Sequence, residues 1–425
     1  MSSIVIAPSI TRIACASFIG TAIEYYDFYI YGMASALVIG PTFFPEGAPE
    51  VQIFSAFLTF AIAFLSRPIG AVFFGHFGDR VGRKSTLIAS LLVMGISTTL
   101  IGCLPGYSVL GVWAPIFLCV CRFGQGIGLG GEWGGAALFA TENAPAGKRG
   151  VYGMFPQFGP SVGFLLATGS FFLLTQLLTD QEFNQWGWRI PFLASSVLLL
   201  IGLYIRVSLA ETSVFNGILK KEKTVRLPIK EIYQSYLTPL VLGSLSMVVC
   251  YVLFYISTVF SLSYGTTMLK IPRQSFLGIL SIAILFMALA TPLSAWASDK
   301  WGRRPTLLAA SLGAFLSGFI LEPVMNSGSL FFITSLLSLQ LFLMGLTFSP
   351  MGALLPELFP ANIRYTGAGT AYNLGGIIGA SFAPYIAQRL VDEGGVAWVG
   401  GYVSVASLIS LLAVYFIQES YINEW

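Results

Sequence analysis

Five charged side chains lie deep inside long apolar runs of this chain. Glu24 and Asp27 are three residues apart in "GTAIEYYDFYIYG" (20–32), so they share one face of a helix. Arg67 lies in "SRPIG", Arg122 in "RFGQG" and Glu132 in "GGEWGG". A charge at the centre of a bilayer costs from about 3 to over 10 kcal/mol, so each must be paired or functional. Burial disfavours the charged form of a carboxylate, and a nearby guanidinium favours it. An acid balanced between the two can take a proton on one side and release it on the other. Arginine cannot shed its charge. Arg122 therefore needs an anion, which Asp27, Glu24 or a bidentate substrate carboxylate can supply. Gln125, Leu129 and Glu132 continue its helical stripe, with Trp133 beside it. Protonation of the acid would free Arg122 for an anionic substrate; the plainer alternative is a static ion pair between two helices. Arg67 is read either as a second anion contact or as a structural residue near the surface. Fully ionised, the three acids and two arginines leave one net negative charge, which one proton cancels.

The later runs carry almost no charge. Their candidates for substrate contact are Tyr251 and Tyr255 on one helix face, and the neighbours Tyr372 and Asn373. Gln157, between Pro156 and Pro160, adds a polar group from the first half. The alternative for each tyrosine is plain packing. The expected proton-coupling set is Asp27, Glu24 and Glu132; the expected substrate-binding set is Arg122, Arg67, Gln125, Gln157, Tyr251, Tyr255, Tyr372 and Asn373.

No metal, cofactor or enzymatic chemistry is expected. There is one histidine, His76, and the five cysteines have neither metal-ligand spacing nor a disulfide pattern. "GQGIGLGG" matches a dinucleotide fingerprint but lies in an apolar run with no preceding strand, so its glycines read as helix-packing positions. "GDRVGRKS" has the wrong spacing for a phosphate loop.

These residues need elements that cross a membrane. Of 425 residues, 56% are hydrophobic and 10% charged, against about 25% charged in soluble domains. The mean hydropathy is +0.80. Twelve apolar runs are long enough to span: 13–39, 51–77, 86–105, 112–140, 152–178, 190–207, 236–268, 274–297, 305–326, 329–354, 366–390 and 396–418. Without water the backbone must satisfy itself, so these are helices. Lys and Arg concentrate in one set of loops, including Arg80, Arg83, Lys84, Lys148, Arg149, Arg206, Lys300, Arg303, Arg304 and Arg364. That set, and both termini, are expected to be cytoplasmic. The net charge of +3 then reflects topology rather than nucleic-acid binding. No cleavable leader is apparent, and the first helix is expected to serve as its own insertion signal.

The halves repeat. "GHFGDRVGRK" (75–84) matches "AWASDKWGRR" (295–304), and "ENAPAGKRG" (142–150) matches "ELFPANIRYTG" (357–367). The expected fold is an all-α membrane protein with twelve transmembrane helices in two pseudo-symmetric six-helix bundles, residues 1–207 and 236–425, joined by a cytoplasmic linker over 208–235. Such repeats describe a transporter that rocks about a central site.

The "GDRVGRK" and "SDKWGRRP" loops resemble the signature loops of the major facilitator superfamily. "EYYDFYIYG", "SRPIG", "RFGQGIGLGGEWGGA", "GWRIPF" and "PELFPANIRYTG" resemble its metabolite:proton symporter family, closest to the shikimate-like branch, over nearly the whole chain. Ala295 departs from the signature, which starts with Gly. The resemblance implies proton coupling at the acids of the first helix, Asp27 foremost. It also implies a cytoplasmic gate of Asp79, Arg83, Glu142, Arg149, Asp299, Arg303, Glu357 and Arg364. It implies a bacterial cytoplasmic membrane and a chain acting as a monomer, with a small molecule, H⁺ and the lipid bilayer as partners. The expected function is proton-coupled uptake of a small carboxylate-bearing metabolite such as shikimate. Two alternatives stand beside it. One is uptake of a zwitterionic osmolyte such as proline or betaine, disfavoured because the osmosensing branch carries a long C-terminal coiled coil. The other is a proton-driven exporter.

Overall fold

The computed structural model describes residues 10–81, 83–142, 144–145, 147–208, 228–360 and 363–419; for 10–17, 75–81, 83–87, 139, 208 and 228 it describes the backbone alone. Twelve long helices account for most of it. In the first half they are α1 (Ile10–Leu37), α2 (Pro49–Val81), α3 (Arg83–Cys103), α4 (Trp113–Gly130 continued by Trp133–Glu142), α5 (Arg149–Leu177) and α6 (Ile190–Ser208). In the second they are α7 (Leu237–Thr267), α8 (Arg273–Trp301), α9 (Arg303–Phe319), α10 (Leu330–Glu357), α11 (Arg364–Gly394) and α12 (Val396–Phe416). Each overlaps one of the twelve apolar runs, and no strand occurs among the described residues. Among the described residues, eight helices are long and apolar enough to cross a membrane on length and composition alone.

The connection between the halves is described at its two ends. Ser208 still belongs to α6, and Pro228–Ser235 forms a short helix. Residues 209–227 lie outside the described set.

Packing follows a two-fold logic. α2 contacts α11, α5 contacts α8, and α1 contacts α7. Exchanging the halves carries the first pair onto the second and the third onto itself. Small residues set the closest approaches. A Cβ on Gly126 would strike the backbone of Ala63, one on Gly130 that of Arg67, and one on Gly70 that of Ile127, so α2 and α4 meet backbone to backbone. The glycines of "GQGIGLGG" thus pack helices. α4 is interrupted at Gly131–Glu132, where the backbone bonds Gly131 N→Gly128 O (3.4 Å) and Glu132 N→Leu129 O (3.4 Å) tighten the turn. α7 and α11 loosen to wider turns at Ile256–Phe260 and Ile377–Ser381, and the Ile256 carbonyl accepts both the backbone N–H and the Oγ (2.7 Å) of Ser261.

Candidate functional site

The five intramembrane charges are all buried, none more than 5% exposed. They do not form one cluster. On α1, Asp27 Oδ1 accepts from Ser195 Oγ of α6 at 2.6 Å, and no cation stands within ion-pair distance among the described residues. Glu24 turns to the other end of α6, where its Oε1 lies 2.5 Å from Arg206 Nη2. The same Nη2 pairs with Glu132 Oε1. The shared helix face of Glu24 and Asp27 therefore serves two separate sites.

One expectation is corrected and another narrowed. Arg206, assigned to a basic loop, sits in the last turn of α6, only 8% exposed, and is the partner of two of the three acids. Counting it makes the ionised set neutral. Its signal was in the sequence, since Val207 follows it within the sixth apolar run. Of the anions offered for Arg122, neither Asp27 nor Glu24 pairs with it among the described residues, which leaves a substrate carboxylate. Arg122 is held by neutral acceptors: Gln125 Oε1 at 2.5 Å, Phe60 O at 3.2 Å and Thr59 O at 3.5 Å. Its guanidinium also lies 3.7 Å from the Tyr31 ring centroid. Carbonyl dipoles and an aromatic face disperse the charge where a carboxylate was expected. Gln125 links this arginine to the acid: its Nε2 donates to Thr98 Oγ1 (2.7 Å) and to the backbone carbonyl of Asp27 (3.5 Å).

Arg67 is different. Its guanidinium lies 4.5 Å from the Phe28 ring centroid and 4.1 Å from that of Phe64. Its Nε and Nη2 have no hydrogen-bond partner among the described residues, although Arg67 is 1% exposed. Those two donors form one edge of the guanidinium, the edge that fits a carboxylate with two parallel bonds. An orphaned buried donor of a charged group is costly.

Aromatic side chains from both halves converge beside it. Trp133 of α4 stacks on Tyr372 of α11, centroids 4.0 Å apart and planes 6° from parallel. Trp133 Nε1 donates to Gln157 Oε1 (2.9 Å), and Gln157 Nε2 donates to Phe348 O of α10 (3.0 Å). Tyr25 and Tyr372 share a hydroxyl–hydroxyl bond, and the Tyr251 hydroxyl donates to the Tyr372 carbonyl (3.5 Å). Tyr255 packs on Phe60 and Phe64, and Asn373 Nδ2 donates to Gly369 O (2.9 Å) and Gly130 O (3.4 Å). The structure thus brings Arg67, Gln157, Tyr251, Tyr255, Tyr372 and Asn373 to one junction. Arg122 and Gln125 stand beside it, within the first half. Sequence reasoning missed Phe28, Phe64 and Tyr25, because apolar and aromatic residues on such helices look like ordinary core. Trp133 it noted only as a neighbour of the stripe.

The loop-face residues form their own cluster. Asp299 of α8 accepts from the backbone N–H of Gly150 and of Val151, both 2.8 Å, at the N-terminus of α5 in the other half. Arg303 pairs with Asp299 (2.6 Å) and Glu357 (3.2 Å), and Arg149 reaches Glu357 at 3.9 Å across the halves. Arg364 Nε donates to Phe359 O (3.1 Å), with the charge of Glu142 acting on it. Asp79 and Arg83 have side chains outside the described residues. On the opposite face, Arg273 of α8 donates to Asn184 Oδ1 (3.2 Å) in the α5–α6 connection.

Comparison with known proteins bears on the family and the fold. Residues 13–226 match the sugar (and other) transporter family, and residues 269–424 match the major facilitator superfamily. The chain is 49% identical over 414 residues to the inner membrane metabolite transport protein YhjE of Escherichia coli (strain K12), covering 96% of this chain and 94% of that one. It is 37% identical over 415 residues to the shikimate transporter of the same organism, covering 96% and 94%. The proton:xylose symporter XylE bound to 6-bromo-6-deoxy-D-glucose shares the fold, with a TM-score of 0.76 at 17% identity over 96% of both chains. With its twelve-helix fold and family matches in both halves, the chain belongs to the major facilitator superfamily of multi-pass membrane transporters, not to a family of enzymes.

Proposed function

We propose that this transporter takes up a small carboxylate-bearing metabolite together with H⁺ by alternating access. One observation carries the reading: the unpaired bidentate edge of buried Arg67 beside an aromatic junction shared by both halves. Arg67 anchors the substrate carboxylate, and Gln157, Tyr251, Tyr255, Tyr372 and Asn373 shape the pocket around it. Asp27, buried without a cation among the described residues, is the coupling acid, and Gln125, which donates to its backbone carbonyl and accepts from Arg122, carries its state toward the pocket. The loop-face cluster is the cytoplasmic gate. Both termini are then cytoplasmic, the membrane is the bacterial cytoplasmic membrane, and one chain suffices. The units that rock are residues 1–207 and 236–425, with 208–235 between them.

The Trp133–Tyr372 stack favours a second reading, because aromatic faces also hold quaternary ammonium groups. A zwitterion such as betaine would place its carboxylate on Arg67 and its cation against the rings. Export by proton antiport has no comparable support. Counterflow in proteoliposomes separates the readings when shikimate, citrate, proline and betaine compete beside an uncharged amide of each acid. The organic-acid reading expects an acid to compete at least tenfold better than its amide, and betaine to fail. Equal competition by acid and amide would remove Arg67 as anchor.

A further inference from the structure

The Glu24–Arg206–Glu132 cluster lies apart from the Arg67 site and from Asp27. Its one guanidinium nitrogen serves both carboxylates, so the cluster carries one residual negative charge when all three ionise. Its position explains what that charge can do. Glu132 occupies the interruption of α4. The other groups of that interruption face the second half. Gly131 O accepts from the Tyr365 hydroxyl (2.7 Å), Gly130 O from Asn373 (3.4 Å), and Trp133 stacks on Tyr372. One side of the break thus holds the acid cluster, and the other side holds α11.

Among the described residues, the neighbouring elements bring the following groups. α5 brings neutral Gln157; α3 meets α6 at Leu91, which abuts Gly202, and its side chains over 83–87 lie outside the described residues. Asp27 of α1 is held by Ser195, and Arg67 of α2 faces Phe28 and Phe64. α11 brings Tyr365 and Tyr372, and Glu357 at the end of α10 is tied to Arg303 and Arg149.

We propose that Glu24, Arg206 and Glu132 form a second proton-responsive site, in which Arg206 is the positioning residue that ties the α4 break to α1 and thereby controls the contact between α4 and α11. The proposal rests on the proton-driven reading above. A proton arriving at Glu132 releases it from Arg206, which keeps Glu24 as its partner. The break is then free, and the Trp133 and Gly131 contacts with the other half loosen. The Glu132–Arg206 pair coexists here with an intact loop-face cluster, so the bound form belongs to the state closed on that face.

The test is the distance between spin labels at Lys148→Cys and Lys300→Cys, both exposed on the loop face, with the native cysteines replaced. Pulsed electron–electron resonance in nanodiscs at pH 8 and pH 5 gives the ratio of long to short separations. The ratio is expected to rise at least threefold on acidification. Glu132→Gln leaves Arg206 neutralised by Glu24 and the break free, so it should show the high ratio at both pH values. Glu24→Gln leaves a neutral Glu132–Arg206 pair, so it should show the low ratio at both. Asp27→Asn should keep the response. The proposal is overturned if both Gln variants respond like the unsubstituted protein, if they move the ratio in the same direction, or if Asp27→Asn alone removes the response. The measurement needs neither substrate nor gradient. A failure of the proton-driven reading would appear instead as absence of gradient-driven uptake by the unsubstituted protein.

Discussion

Arg67 and Asp27 share one property, a buried charge with no countercharge among the described residues, and the proposed cycle gives them opposite tasks. Arg67 keeps its charge and waits for an anion. Asp27 can lose its charge and so can carry a proton. Arg67→Lys keeps the cation but loses the planar edge. Losing one charged hydrogen bond of about 1.5–3 kcal/mol should raise the KM for the carboxylate substrate roughly tenfold or more. Initial-rate uptake against concentration checks this; an unchanged KM would remove Arg67 from the pocket. Asp27→Asn should abolish accumulation driven by a proton gradient while sparing counterflow exchange, and parallel assays on one preparation separate the two. The acids and Arg122 were legible in the sequence, because a charge in an apolar run is conspicuous. Their partners were not. Arg122 found carbonyl oxygens and an amide, which every helix offers and no motif marks. Arg206 lay near the end of its run, where composition cannot tell a solvated arginine from a buried one.

At the scale of the helix, glycine decides how closely charges can be brought together. Gly130 presses against the Arg67 backbone, and Gly126 against that of Ala63. Gly126→Val should therefore separate α2 from α4 and cost about 1–3 kcal/mol of stability, read as a lowered unfolding temperature in detergent and weakened transport. A variant as stable as the parent would show that the backbone contact is dispensable. The helices themselves were readable from run length alone, since a backbone in hydrocarbon has few options. The interruption in α4 and the wide turns in α7 and α11 were not. They depend on contacts with facing helices that no local pattern encodes. The helix at Pro228–Ser235 was read as linker because it is too short and too polar to register as an apolar run.

Across the whole molecule, the two halves are tied on both faces: by Asp299, Arg303, Glu357 and Arg149 on one, and by Arg273 and Asn184 on the other. Alternating access requires that these ties break in turn. Glu357→Gln removes the acceptor shared by Arg303 and Arg149, so it should shift the population toward opening on the loop face. Labelling of a cysteine placed at Gly153, which abuts Gly352 of the other half, should then rise several-fold. Unchanged labelling would reduce the cluster to a topological role. The repeat was visible in the sequence, because signature loops preserve charge at fixed positions. The side chains that bridge the halves became evident only with both in place. The central claim, proton-driven uptake of an organic acid, is tested most directly by transport into proteoliposomes under an imposed inward proton gradient, with shikimate, a dicarboxylate, citrate, an aromatic acid, proline and betaine offered in turn. The account predicts that one acid accumulates above equilibrium and that a protonophore stops it. Accumulation of none by folded, correctly inserted protein, or accumulation indifferent to the protonophore, would contradict it.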